Sequence, residues 1–240
     1  MQTLKSGEKL IQSTSYSQTE IIGDIIKLYS PDGIECDCTY STGGFYKNIP
    51  KPRLKFDKFP QLPDVMEACS TNLPLKTGEI KSLMYDPPFI AQHQVLGGEY
   101  KMNLRFGSIK GIENLLSEYE KSIKEFSRVI KNRGYLIIKC QDLTYGGRNY
   151  FNHITIHDFA IKYGFKAVDL FVLLSKTRII SMTNQFHARK FHCYFWVFKL
   201  SKVHSKTLLQ GDKENTNKQN INKPKLSLRE LSITIRNMPL

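Results

Sequence analysis

GIENLLSEYEKSIKEFSRVIKNRGYLIIKC, residues 111–140, changes its periodicity partway along. Ile112, Leu115, Leu116, Tyr119, Ile123, Phe126, Val129 and Ile130 recur at helical spacing and form one apolar stripe. From Gly134 that period stops, and Tyr135-Leu136-Ile137-Ile138 is apolar at every position, as in a strand buried on both faces. A helix leading straight into a doubly buried strand is half of a βαβ unit. It predicts a mostly parallel sheet with helices on both sides.

The flanking sequence extends that pattern. TEIIGDIIKLYS (19–30) places Ile21, Ile22, Ile25, Ile26 and Leu28 at helical spacing, with Ser17 or Thr19 available as cap. GIECD (33–37), RLKFD (53–57) and IKSLMYD (80–86) read as strands, and DVMEAC (64–69) as a helical turn. Further on, TIHDFAIKYGF (155–165) is a helix with a glycine stop, followed by strands KAVDLFVLL (166–174) and KFHCYFWVFKL (190–200). The fifteen residues between those strands have no helical period, so the two can pair as a hairpin. The expected fold is α/β and Rossmann-like, with one antiparallel strand near the C-terminal end.

Composition sets the outer limits. At 240 residues with 40% hydrophobic content, the chain is long enough for a substantial core. No apolar run approaches the roughly 18 residues of a membrane span, and MQTLKSGEKL lacks the apolar centre of a signal peptide, so a cytoplasmic protein without membrane contact is expected. The five cysteines are scattered without a Cys-x-x-Cys pair, which favours reduced, buried thiols. Thirty-five Lys and Arg against twenty-two Asp and Glu give a formal charge of +13, the electrostatic footprint of a polyanion binder. Residues 201–240, rich in Lys, Asn, Gln and Ser, read as a basic, flexible tail behind a folded body of residues 1–200. The tail holds eight basic and three acidic residues, a net +5, so the body keeps +8.

In such sheets ligands bind outside the carboxyl ends of the strands, where the strand order reverses. The first strand runs into Asp37-Cys38-Thr39-Tyr40-Ser41-Thr42-Gly43-Gly44, a small, hydroxyl-rich loop a ligand can approach closely. The second ends at Asp57, twenty positions beyond Asp37, the separation at which an acidic residue meets ribose hydroxyls in nucleotide-binding sheets. The buried strand after it ends at Asp86-Pro87-Pro88-Phe89, where two prolines bar both helix and ladder. His93, His153, His157, His187 and His192 form no wider ligand set, and no metal is expected.

These three strand ends, in this order, resemble the amino-methyltransferases, which move a methyl group from S-adenosylmethionine to exocyclic amines of bases. The resemblance spans roughly residues 14–199, and Asp86-Pro87-Pro88-Phe89 is its most specific part. It implies that DCTYSTGG stands for a cofactor loop of the form Asp-Pro-Phe-x-Gly-x-Gly. Asp37 and Gly43 fit that form, Cys38-Thr39 replace Pro-Phe, and Ser41 replaces the first glycine. It further implies that Asp57 holds the ribose, that Asn72 in ACSTNLP lies near the adenine, and that Tyr16 and Thr19 close over the methionine end. The implied cofactor set is thus Tyr16, Thr19, Asp37, Thr39, Gly43, Asp57, Asn72 and Asp86.

The implied chemistry explains the residue types. An adenine N6 lone pair is delocalised into the ring until its hydrogens are held. Asp86 and a carbonyl of Pro87-Pro88 can each accept one, while Phe89 stacks on a base that is flipped out or single-stranded. N6 of adenine in DNA is the leading expectation. N4 of cytosine, an RNA base, and a non-catalytic nucleic-acid binder with this fold stay open. Arg105, Arg148, Arg189 and Lys190 are the candidate phosphate contacts. With little length for a separate recognition region, loops 91–108, 141–153 and 175–190 are expected to supply substrate contact, alone or with an oligomeric or recognition partner.

Overall fold

The computed structural model describes residues 10–89, 91–92, 109–177 and 185–202. In chain order the first elements are β1 (Thr14–Ser15), α1 (Gln18–Tyr29), β2 (Cys36–Asp37), β3 (Leu54–Asp57), β4 (Met66–Glu67) and β5 (Ile80–Tyr85). Two short strands, β6 (Ala91–Gln92) and β7 (Ile109–Lys110), precede α2 (Ile112–Val129) and β8 (Ile130–Cys140). A hairpin of β9 (Leu143–Tyr145) and β10 (Arg148–Tyr150) leads to α3 (Asn152–Lys162), β11 (Phe165–Leu174) and β12 (His192–Leu200).

The main sheet has eight strands in the order β1-β11-β12-β8-β5-β2-β3-β4. β12 lies antiparallel to both β11 and β8, and every other pair in this sheet is parallel. The expected Rossmann-like arrangement with one antiparallel strand is therefore present. From β2 the chain steps outward to β3 and β4, then returns to β5 on the other side of β2. Strand order thus reverses between β2 and β5, and their carboxyl ends carry Asp37 and Asp86.

Alternation along the central strands divides the core between two faces. Met84, Ile137, Phe195 and Val197 meet Ile21, Ile22 and Ile25 of α1 on one side. Leu83, Tyr85, Leu136 and Ile138 meet Leu115, Tyr119, Ile123 and Phe126 of α2 on the other. Most of these side chains are fully buried, each worth about 1.5–3 kcal/mol of apolar burial.

α2 passes into β8 with no loop between them, and the Ile130 N–H bonds the Phe126 carbonyl at the helix end. The strand thus starts four residues before Gly134. A Cβ at Gly134 would lie 2.6 Å from the Lys81 carbonyl oxygen, so glycine there permits the close approach of β8 to β5. Ser17 is the α1 cap, its hydroxyl accepting the Glu20 amide at 3.3 Å. Residues 64–69 form no helical turn. Met66–Glu67 is edge strand β4, because Ala68 N–H reaches the Asp57 carbonyl at 3.0 Å and draws the segment into the sheet. Among the described residues no disulfide forms and no helix is long and apolar enough to cross a membrane. Apart from residues 201 and 202, the expected tail lies outside the described residues.

Candidate active site

At the end of β2 the Asp37 side chain is buried and shapes the loop that follows. One carboxylate oxygen accepts the Thr39 amide at 2.8 Å, and the other accepts the Tyr46 hydroxyl at 2.8 Å. Burial pushes its pKa up to about 7, against the lowering pull of those donors, and nearby Asp86 adds to the rise. The loop then turns through Ser41 at φ +50° and Gly43 at φ +70°. Ser41 thus adopts the left-handed conformation glycine would take there, and its amide donates to Asp57 Oδ2 at 2.8 Å. Gly43 cannot be replaced as easily: a Cβ would lie 2.5 Å from the Tyr40 hydroxyl.

Asp57, at the end of β3, accepts that amide on one oxygen and the Phe59 amide at 2.8 Å on the other. Two charge-assisted bonds of this kind fix a carboxylate's direction. Asp86, at the end of β5, is tied back to the first loop, its amide donating to Thr39 Oγ1 at 2.8 Å. Pro87 is buried, and the Pro88 carbonyl accepts the hydroxyl of buried Tyr119 at 2.6 Å. Helix α2 therefore clamps the proline pair from behind.

Lys139, one residue before the end of β8, completes the group. Its Nζ lies 3.5 Å from Asp86 Oδ2 and 5.0, 5.5 and 5.9 Å from the ring centroids of Phe45, Phe89 and Phe195. Burial raises the Asp86 pKa, and the Lys139 ammonium pulls it back down. Asp86 Oδ1 is buried and has no hydrogen-bond partner among the described residues.

These strand ends enclose a cavity of about 340 Å³ whose wall includes Thr39, Ser41, Asp57, Ser70, Asp86 and Lys139. Gly44 also faces it, with nothing within 4 Å of where a Cβ would stand. The size suits a cofactor- or nucleotide-sized molecule. Of the residues singled out in the sequence, Thr39, Asp57, Asp86 and Pro88 lie on this wall. Asp37 and Gly43 stand behind it as loop supports, and Phe89 reaches it through Lys139.

Three others lie elsewhere. Asn72 is exposed in a turn closed on Cys69, and Ser70 of the same segment faces the cavity, hydrogen-bonded to buried Ser122 at 2.8 Å. Thr19 sits in the first turn of α1. Tyr16, 62% exposed, borders a second cavity of about 370 Å³ together with Lys190 and His192. Gln18 lines both cavities, which places them side by side. Gln18 and Ser70 were not among the site residues expected from sequence, whereas Lys139, at the end of a buried strand, is expected near the substrate rather than as a catalytic base.

Around the second cavity the β9–β10 hairpin is tied to residues 185–190. His187 bonds Asn149 at 3.2 Å and the Gly147 carbonyl at 2.8 Å, and Lys190 Nζ reaches Asn149 Oδ1 at 3.5 Å. Asn149, next to Arg148 in the chain, thereby meets Lys190, and Phe186, three residues before Arg189, is exposed. Arg105 lies outside the described residues, as does most of the 91–108 loop. Among the described residues no group of three or more His, Cys, Asp or Glu is placed to hold a metal ion.

No family model matches the sequence, and no curated protein matches it. Solved structures with a similar backbone include the PvuII cytosine-N4-specific DNA methyltransferase, at 13% identity and TM-score 0.41, covering 72% of this chain and 62% of that one. A Thermus thermophilus protein provisionally assigned as a DNA modification methylase, complexed with S-adenosylmethionine, aligns at 16% identity and TM-score 0.38. That match covers 55% of this chain and 52% of the Thermus protein, so the chain spans about half its relative's length. An S-adenosylmethionine-dependent methyltransferase of Thermotoga maritima aligns at 15% identity and TM-score 0.46, covering 75% and 86% of the two chains. At such identities and scores the chemistry of the cavity rests on its own residues.

Proposed function

We propose that this protein transfers a methyl group from S-adenosylmethionine to the exocyclic amine of a base in DNA, with N6 of adenine as the target. One observation carries the reading: Asp86, at a strand-order reversal on a turn stiffened by two prolines, lines a cofactor-sized cavity and keeps one carboxylate oxygen without a hydrogen-bond partner among the described residues.

The cavity's residues suit such a cofactor. Asp57, already aimed by two amides, accepts ribose hydroxyls; Ser70 lies beside the adenine; the open backbone at Ser41–Gly44 faces the methionine end. S-adenosylmethionine supplies an electrophilic methyl on a cationic sulfur. The Asp86 carboxylate accepts one hydrogen of the target amine. A carbonyl of the Pro87-Pro88 pair accepts the second, in a turn that the Tyr119 hydroxyl holds through the Pro88 carbonyl. The nitrogen lone pair, freed from the ring, forms the new N–CH₃ bond as the S–CH₃ bond breaks. The surplus amine proton passes to Asp86, whose burial makes it a better acceptor than an exposed aspartate, and from there to water. Phe89 offers a ring face to the base, and Arg148, Arg189 and Lys190 take phosphates.

The test is incubation with methyl-labelled cofactor and single- or double-stranded DNA, followed by nucleoside chromatography. N6-methyladenine is expected, and Asp86→Ala should abolish it while leaving cofactor affinity nearly unchanged. Label appearing in cytosine or only in RNA would overturn the target, and no label in any nucleic acid would overturn the activity.

A further inference from the structure

Lys139 is an unusual tenant for this site. Register places it beside Phe195 on β12, on the sheet face where Ile137 and Val197 are fully buried. Its side chain is only 13% exposed. Burying an ammonium is costly unless its partners are close and well aimed, and here the carboxylate stands at 3.5 Å. The three surrounding rings add cation–π attraction, about 0.5–2 kcal/mol each. They also hold the ammonium in one place, so it grips one oxygen of Asp86, while the other is buried and has no hydrogen-bond partner among the described residues.

We infer that Lys139 is a positioning residue for amine methylation. Its caged ammonium anchors Asp86 Oδ2 and so holds the carboxylate in the orientation from which it accepts a hydrogen of the target amine. The inference rests on the methyl-transfer reading and assigns that site a group beyond the Asp-Pro-Pro-Phe turn. Among the described residues the titratable groups facing Asp86 are Lys139 and Cys140 from β8, Asp37 from β2 and Tyr119 from α2. Lys139 is the one cation among them. Without it, the Asp86 carboxyl holds its proton to higher pH and stops accepting from the amine.

The experiment compares the full chain with Lys139→Met and Lys139→Arg, following the ¹³C carboxyl signal of Asp86, assigned through Asp86→Asn, across pH. The Asp86 midpoint should move to higher pH in Lys139→Met and return towards its original position in Lys139→Arg. Turnover of Lys139→Met at neutral pH should fall roughly tenfold or more and recover as pH rises past the new midpoint, with cofactor affinity within about threefold of the parent. An unmoved midpoint overturns the inference. So does lost cofactor affinity with unchanged turnover, which would make Lys139 a cofactor ligand. Should Lys139→Met fail to fold, Lys139→Gln takes its place. If the parent methylates no nucleic acid, the reading of the site fails, while the titration still decides whether Lys139 governs Asp86.

Discussion

Asp86 and Thr39 are joined by a single hydrogen bond of 2.8 Å, from the Asp86 amide to the Thr39 hydroxyl. That hydroxyl lies 3.3 Å from Asp37 Oδ1, to which it donates, so one side chain relays between the carboxylates that end β2 and β5. Phenylalanine, which the resembled loop carries at this position, could not do this.

Thr39→Val keeps the shape and removes the relay. The Asp86 amide is then left without its acceptor, at a cost of about 1–2 kcal/mol in stability. We expect turnover to fall further than cofactor affinity, with Thr39→Ser restoring both. Equal losses in the two would show that Thr39 serves the cofactor loop alone. Paired melting and kinetic measurements decide it.

Asp37 should make stability and ligand affinity respond to pH in opposite directions. Its folded-state pKa of about 7 lies above the ordinary aspartate value. Between roughly pH 4 and 7 the folded chain therefore holds a proton that the unfolded chain has lost. Stability contributed by this group declines as pH rises through that window and levels off above it. Asp37→Asn keeps partners for Thr39 and Tyr46 without the charge. It should raise the melting temperature at pH 8 by a few degrees, on the order of 1 kcal/mol.

The same ionisation favours a cationic ligand. Affinity for S-adenosylmethionine should rise with pH up to about 7 and then flatten. S-adenosylhomocysteine, which lacks the sulfonium charge, should follow a shallower curve. Parallel curves for the two ligands, measured by calorimetry, would remove Asp37 from the electrostatics of the site.

Ser41 tests how much a glycine is needed in the loop. Its φ of +50° costs an L-residue about 1 kcal/mol, partly offset by the greater freedom glycine has when unfolded. Ser41→Gly should change stability by between zero and about +1 kcal/mol and preserve cofactor binding. Denaturant titration suffices, and a clear destabilisation would assign a structural task to the Ser41 hydroxyl.

Arg148 and Lys190 are expected to act through phosphates. Each alanine variant should weaken binding of single-stranded DNA similarly across sequences and lower the slope of log affinity against log salt by about 0.7. Fluorescence anisotropy over a salt series reads this directly. A change in sequence preference with an unaltered slope would point to base contacts instead.

Long, strongly periodic segments were legible in the sequence because burial on one face leaves a repeated mark. α2 and β8 are the clearest cases, and Asp37, Asp57 and Asp86 could be placed because strand ends are where such sheets put their chemistry. Residues 64–69 were misread because six residues are too few to show a period; a hydrogen bond to β3 decided their state. The β9–β10 hairpin did carry a signal, Gly146-Gly147 between tyrosine-containing runs, and both glycines take positive φ. Lys139 was harder to see. Its strand end marks it as a residue near the substrate, but nothing local reveals that aromatic rings from three distant segments meet around it.

The placement of β12 has a consequence for how the protein is made. This strand is the last of the described elements in sequence, yet it enters between β11 and β8. Until it does, two strands lie with open edges, and Phe195 is missing from the ring around Lys139. A chain ending before β12 would lack both this pairing and the Phe195 ring beside Lys139.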